Sequence, residues 1–170
     1  MLAYRQGDAG AFEALYARHK GPLYRFVLRA VKERALAEEL YQEIWMRVIE
    51  ARARYAVRAK FTTWLYTIAH HRVADHWRKR GLKLVEADDA DPPAPRGFEP
   101  EARAEGRQDL RRLAAALAAL PEAQRETFLL HEDAGMTVGE IAAATGATEE
   151  AAKSRLRYAF AKLREALDDD

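Results

Sequence analysis

Apolar residues recur along most of this chain at spacings of three and four, which gathers them on one face of an α-helix, and no stretch shows the strict alternation of a strand. A first helix is expected from near Asp8, a residue suited to an N-cap, with Phe12, Leu15 and Tyr16 on one face. Gly21-Pro22 is expected to interrupt it, because proline lacks the N–H that the helix ladder uses. Leu23, Phe26, Val27 and Val31 then carry a second helix. A third, over about 35–53, sets Leu36, Leu40, Ile44 and Val48 four residues apart. A fourth, over about 61–80, turns Phe61, Leu65, Ile68, Ala69 and Val73 inward. Further helices are expected over about 104–119, 121–133, 137–144 and 148–167, with Pro121 in a first turn and Gly135 at a helix end.

The pattern breaks once. Ala87-Asp-Asp-Ala-Asp-Pro-Pro-Ala-Pro-Arg-Gly97 crowds acids, prolines and a glycine together, and such a segment reads as an extended linker. The expected architecture is therefore all-α: a front helical domain over 1–82, a flexible acidic linker over 83–103, and a back helical domain over 104–170.

Charge sharpens this division. Residues 1–83 carry 17 Lys and Arg against 8 Asp and Glu, whereas 84–105 carry 2 against 7 and 106–170 carry 9 against 12. The net charge of +1 thus hides a strongly basic front half, which suits a polyanion because phosphate contacts release counterions, though a basic surface also merely solubilises. Cysteine is absent, which excludes a disulfide framework and cysteine-based metal sites. The first ten residues carry no basic segment leading into an apolar run, and no apolar stretch approaches the roughly 18 residues of a membrane span, so a cytoplasmic protein without membrane insertion is expected.

The back domain contains a helix-turn-helix pattern. Thr137 and Glu140 have the spacing of a capping box, Ile141 supplies an apolar contact, and Ala142 lets a second helix cross closely. Gly146 follows where a tight turn wants positive φ, Thr148 caps the next helix, and Ala152 completes the spacing. The second helix would enter a major groove by its N-terminal part, with Lys153, Ser154, Arg155 and Arg157 meeting phosphates or base edges. Glu149 and Glu150 at its start oppose this by repelling phosphate, and an ordinary helical hairpin has the same pattern.

The front domain has two contrasting faces. Glu38, Glu39, Gln42, Glu43 and Glu50, with Met46 among them, fall on one arc of the third helix, away from its apolar stripe. Such a face fits a protein partner or is simply solvated. Residues 52–83 instead set Arg52, Arg54, Arg58, Lys60, Arg72, Arg78, Lys79, Arg80 and Lys83 against the single acid Asp75. Tyr55, Phe61, Trp64, Tyr66 and Trp77 are interleaved with them. Cations that track a backbone, with rings that stack on bases, make a single-strand binding surface, although Phe61 and Tyr66 are expected in the core. Trp64, His71 and Asp75 project together, opposite Tyr66 and Val73. The run His70-His-Arg-Val-Ala-Asp-His76 also resembles the His-His-x-x-x-Asp-Gly signature of acyltransferases. Here His76 replaces the glycine, and no third metal ligand accompanies His71 and Asp75, so neither catalysis nor a cofactor is expected.

Three segments in order resemble one family. Leu36-Ala-Glu-Glu-Leu-Tyr-Gln-Glu-Ile-Trp-Met-Arg-Val48 is similar to the polymerase-binding helix of sigma factors. Phe61-Thr-Thr-Trp-Leu-Tyr-Thr-Ile-Ala-His-His-Arg-Val-Ala-Asp-His-Trp-Arg-Lys-Arg80 is similar to the helix that reads their −10 element. Leu120-Pro-Glu-Ala-Gln-Arg-Glu-Thr-Phe-Leu-Leu130, with the helix-turn-helix after it, resembles their −35-reading domain. Order and linker match the extracytoplasmic-function type of the sigma-70 family. The resemblance implies a non-enzymatic transcription initiation factor that binds bacterial core RNA polymerase through Glu38, Glu39, Gln42, Glu43 and Met46. It implies single-stranded −10 DNA at Arg54, Arg58, Lys60, Trp64, His71, Asp75, Arg78, Lys79 and Arg80, and duplex −35 DNA at Thr148, Lys153, Ser154, Arg155 and Arg157. It also implies control by an anti-sigma factor. His71 departs from the family's usual Asn, and Glu150-Ala151-Ala152 stands where Gly-Thr-Val is common. A helix-turn-helix repressor or activator that works without polymerase remains the alternative, with a small His-dependent enzyme behind it.

Overall fold

The computed structural model describes the backbone of residues 1–80 and 104–168 and the side chains of 1–79 and 109–167. The linker expected over 83–103 lies outside the described residues, and every regular element among them is helical. The front half comprises α1 (Leu2–Arg5), α2 (Ala9–Val31), α3 (Arg34–Glu50), a 3-10 turn (Arg52–Arg54) and α4 (Phe61–Arg80). The back half comprises α5 (Ala104–Ala119), α6 (Glu122–Glu132), α7 (Val138–Thr145) and α8 (Glu149–Asp168).

One expectation fails in the front half. Gly21-Pro22 does not end a helix: α2 runs unbroken through Pro22 for 23 residues. The proline removes the ladder bond to the carbonyl of Arg18 and costs about 3 kcal/mol. On the following turn Leu23, Phe26 and Val27 are fully buried, and each side chain returns about 1.5–3 kcal/mol. Packing therefore outweighs the local break. Asp8 caps α2 as expected, its carboxylate accepting from the Ala11 N–H at 3.1 Å. The short α1 had no signal in the apolar pattern, and α3 gives way at Ala51 to the 3-10 turn rather than running to 53.

The front core is largely the one that periodicity indicates, although Phe61 and Ile68, also expected inward, are only half-buried against it. Leu36, Leu40, Ile44 and Val48 of α3 and Leu65, Tyr66, Ala69 and Val73 of α4 are all buried against α2. Phe26 meets Tyr66 edge to face at 5.1 Å, and burial pushes the Tyr66 hydroxyl up to about 12.

In the back half the capping box is formed. The Thr137 hydroxyl accepts from the Glu140 N–H at 3.3 Å, and the Glu140 carboxylate accepts from the Thr137 N–H at 2.8 Å. Gly146 has φ +67°, which lets α7 turn sharply into α8, and the Thr148 hydroxyl accepts from the Ala151 N–H at 3.1 Å. Pro121 stands one residue ahead of α6, at its N-cap rather than inside its first turn. Arg125 is buried and donates to the carbonyls of Ala118 and Leu120 at 3.3 and 3.1 Å, which satisfies the end of α5.

The two halves touch through α4 with α7 and α2 with α6, and a single apolar cluster runs through both. Polar contacts join them as well. The Thr63 hydroxyl donates to Glu140 at 2.9 Å, Arg29 pairs with Asp133 at 3.1 Å, and Nδ1 of the buried His70 pairs with Glu126. Burial raises the Asp133 carboxyl above its usual range, and Arg29 opposes that rise.

Candidate nucleic-acid interface

The chain between α3 and α4 bounds a cleft of about 430 Å³. Arg5 of α1 ties this loop down by donating to the Tyr55 carbonyl at 2.8 Å. Tyr55 is buried under the loop and meets Trp64 edge to face at 4.9 Å, which leaves Trp64 half-buried as one wall. Arg54 and Arg58 stand exposed on the rim, with Lys60 exposed just before α4. An aromatic wall beneath a cationic rim accepts a base by stacking and its phosphates by charge. Val57, 63% exposed on the same loop, was not singled out from the sequence: a lone apolar residue in a loop carries no periodic signal.

The helix period puts Trp64, His71 and Asp75 along one side of α4, yet the structure separates them. Trp64 faces the loop cleft, whereas His71 and Asp75 line a second cleft of about 560 Å³ with Arg78 on the same wall. Residues 143–146, where α7 turns toward α8, form its opposite side. His71, Arg78 and Lys79 are exposed, and the side chain of Arg80 lies outside the described residues. Asp75 is occupied within the chain: its carboxylate accepts from Arg78 at 3.0 Å and lies 3.5 Å from Arg72. Among the described residues no three His, Asp or Glu gather into a metal-binding group.

The acidic face of α3 is present but not uniform. Glu39 and Gln42 are exposed, Glu38 is paired with Arg34 at 3.0 Å, and Glu43 is half-buried against Arg72 at 2.5 Å. Met46 is 54% exposed, and Ile49 beside it is 38% exposed. The apolar end of this face is therefore wider than the sequence reading, which did not single out Ile49.

On α8, Lys153 and Arg157 are exposed, while Ser154 and Arg155 are partly covered. The Arg157 guanidinium lies over the Tyr158 ring at 5.2 Å, which extends it along the helix surface. The Thr148 hydroxyl is engaged as a cap. The Glu149 carboxylate leans back toward α7, where a Cβ on Gly139 would stand only 3.2 Å from it. One of the two acids expected to oppose phosphate thus packs against its own hairpin.

Residues 15–82 match the family Sigma-70 region 2, and residues 110–163 match Sigma-70, region 4. The chain is 35% identical to the RNA polymerase sigma factor CarQ of Myxococcus xanthus, over 99% of this chain and 96% of CarQ. It is 33% identical to the ECF RNA polymerase sigma factor SigC of Mycobacterium tuberculosis, over 99% of this chain and 90% of SigC. Among solved structures, it resembles the sigma factor RpoE in complex with the anti-sigma factor NepR from Bartonella quintana, with a TM-score of 0.74 and 25% identity over 94% of this chain and 98% of that one. It also resembles CnrH in complex with the cytosolic domain of CnrY, with a TM-score of 0.67 and 25% identity over 99% of this chain and 96% of that one. No helix among the described residues is long and apolar enough to cross a membrane.

Proposed function

The chain belongs to the extracytoplasmic-function sigma factors of the sigma-70 family, and from that premise we propose how its residues divide the work of promoter recognition. Residues 1–82 act as the polymerase-binding and −10 domain, 83–103 as the linker, and 104–170 as the −35 domain. Glu38, Glu39, Gln42, Glu43 and Met46, extended by Ile49, form the docking face for core RNA polymerase; the mixture of exposed acid and exposed apolar surface on α3 supports this.

The observation that carries the −10 reading is the cleft under the loop of residues 51–60, with its Tyr55–Trp64 wall and its Arg54 and Arg58 rim. Extruding a base from the duplex costs a few kcal/mol, least where the strands are already parting. Stacking on a ring is worth about 1–3 kcal/mol per base, so a single capture on Trp64 is of the same size as that cost. Lys60, Arg78, Lys79 and Arg80 add phosphate contacts that tip the balance, with His71 and Asp75 beside them. On α8, Lys153, Ser154, Arg155 and Arg157 face the −35 major groove, and Thr148 holds the helix start in register.

An anti-sigma factor that engages both halves is a further part of the proposal, supported by the likeness to RpoE and CnrH as they stand in their complexes with NepR and CnrY. The protein performs no catalysis of its own and works where polymerase and promoter DNA are, in the cytoplasm. The test is co-elution of the purified chain with sigma-free core polymerase on a sizing column, beside a Glu39→Ala/Gln42→Ala/Glu43→Ala variant. Co-elution of the first and not the second is expected; co-elution of both would move the docking face elsewhere.

A further inference from the structure

Arg72, one of the basic residues of α4, belongs to the wall of the second cleft, yet its side chain is only 15% exposed and is held by carboxylates within the chain. One terminal nitrogen donates to Glu43 Oε2 on α3 at 2.5 Å. The other lies 3.5 Å from Oδ2 of Asp75, three residues along α4. The second oxygen of Asp75 accepts from Arg78 at 3.0 Å, and Arg78 is 77% exposed. Carboxylate, guanidinium, carboxylate and guanidinium thus alternate along one path. It starts on the proposed docking face and ends at a cation proposed for promoter DNA.

The geometry suits guanidinium and not ammonium. A planar fork that hydrogen-bonds Glu43 with one arm and sets the other 3.5 Å from Asp75 fixes the first side by geometry and holds the second by charge, whereas an ammonium on a flexible stem presents one point charge and no fork. At 15% exposure the central link is also less screened by salt than the exposed pairs elsewhere on the surface.

We propose that Arg72 is a positioning residue: it touches neither polymerase nor DNA, and it sets the angle at which Asp75 and Arg78 are presented once α3 has docked. This rests on the division of labour proposed above. A plain structural strut would support folding, docking and promoter opening alike; a positioning residue affects opening far more than docking.

The experiment uses the full chain as wild type, Arg72→Gln and Arg72→Lys, at a temperature where circular dichroism finds each folded. Affinity for core polymerase is measured by fluorescence anisotropy, and promoter opening by permanganate reactivity of unpaired thymines at saturating holoenzyme. For Arg72→Gln, core affinity is expected to stay within about twofold while opening falls about tenfold, the size of one lost charge-assisted hydrogen bond. Arg72→Lys keeps the charge and loses the fork, so its opening should lie between the two. If the opening defect of Arg72→Gln does not exceed its docking defect by at least about fivefold, the proposal is overturned, since a strut or a bystander behaves that way. A Glu39→Ala/Gln42→Ala variant runs alongside. If it binds core normally, the docking face on α3 is wrong, whereas the opening ratio for Arg72 still tests its hold on α4.

Discussion

Replacing Glu140 by alanine removes three hydrogen bonds: from the Thr137 N–H at 2.8 Å, from the Thr137 hydroxyl at 3.0 Å and from the Thr63 hydroxyl at 2.9 Å. The first two belong to the cap of α7, and loss of a cap costs about 1 kcal/mol. The third crosses from α4 to α7. Thr63 is only 8% exposed, so its hydroxyl loses its partner away from water, for about 1–2 kcal/mol more. The sum, about 2–3 kcal/mol, corresponds to a fall in Tm of about 4–12 °C for a chain of this length. Thr137→Ala, which disturbs the cap alone, should cost only about 1 kcal/mol. Urea titrations of wild type, Thr63→Val, Glu140→Ala and the double variant, followed by circular dichroism, isolate the crossing bond. If α7 rests on α4 in solution, the cycle gives a coupling of about 1 kcal/mol. Additivity within about 0.3 kcal/mol would mean that Glu140 acts on its own helix only, and the Thr63–Glu140 bond between the halves would be refuted.

The Glu140 carboxyl is held below its usual range, first by the Thr137 N–H and then by the Thr63 hydroxyl. A lowered carboxyl contributes stability that is complete above the unfolded value of 4.5 and is lost as pH falls through the folded value. The gap in urea midpoint between wild type and Glu140→Gln should therefore be constant near neutrality and shrink below pH 4.5; a gap unchanged at low pH would contradict the assignment. Gly146→Ala meets no atom within 4 Å, so only the positive φ opposes it, and a loss of about 1–2 kcal/mol in thermal unfolding is expected. A neutral result there would show that the turn relaxes. Lys153→Ala should weaken −35 duplex binding and lower the slope of log affinity against log salt by about 1 if the lysine meets a phosphate; an unchanged slope would exclude that contact.

The helices of the fold were legible because their information is local. The spacing of Leu36, Leu40, Ile44 and Val48 needs no knowledge of the partner that buries it, and the capping box at Thr137 is closed within one turn. Pro22 misled for the same reason: local chemistry says break, and only the burial of Leu23, Phe26 and Val27 against other helices says continue. The face of α3 was legible as a face, but not the withdrawal of Glu43 by Arg72, which lies 29 residues away. Contacts between the halves span still more chain, 56 residues for His70 to Glu126 and 77 for Thr63 to Glu140, and no periodicity encodes them. The separation of Trp64 from His71 and Asp75 depends on where the loop of residues 51–60 folds over α4, a loop without an apolar pattern of its own.

The placement of the tryptophans also makes the chain its own optical reporter. Of the three, Trp45 is 5% exposed and walled in by aromatic rings, with Tyr16 at 5.0 Å and Tyr41 at 6.4 Å, while Trp77 packs against the core. Trp64 alone lines the loop cleft, where a stacked base would quench its emission by contact. Light from Trp45 then tracks the integrity of the fold, and light from Trp64 tracks occupancy of the cleft. A titration with unlabelled single-stranded DNA can follow capture of a base in real time, and Trp64→Phe should silence that signal while leaving the emission of Trp45 in place.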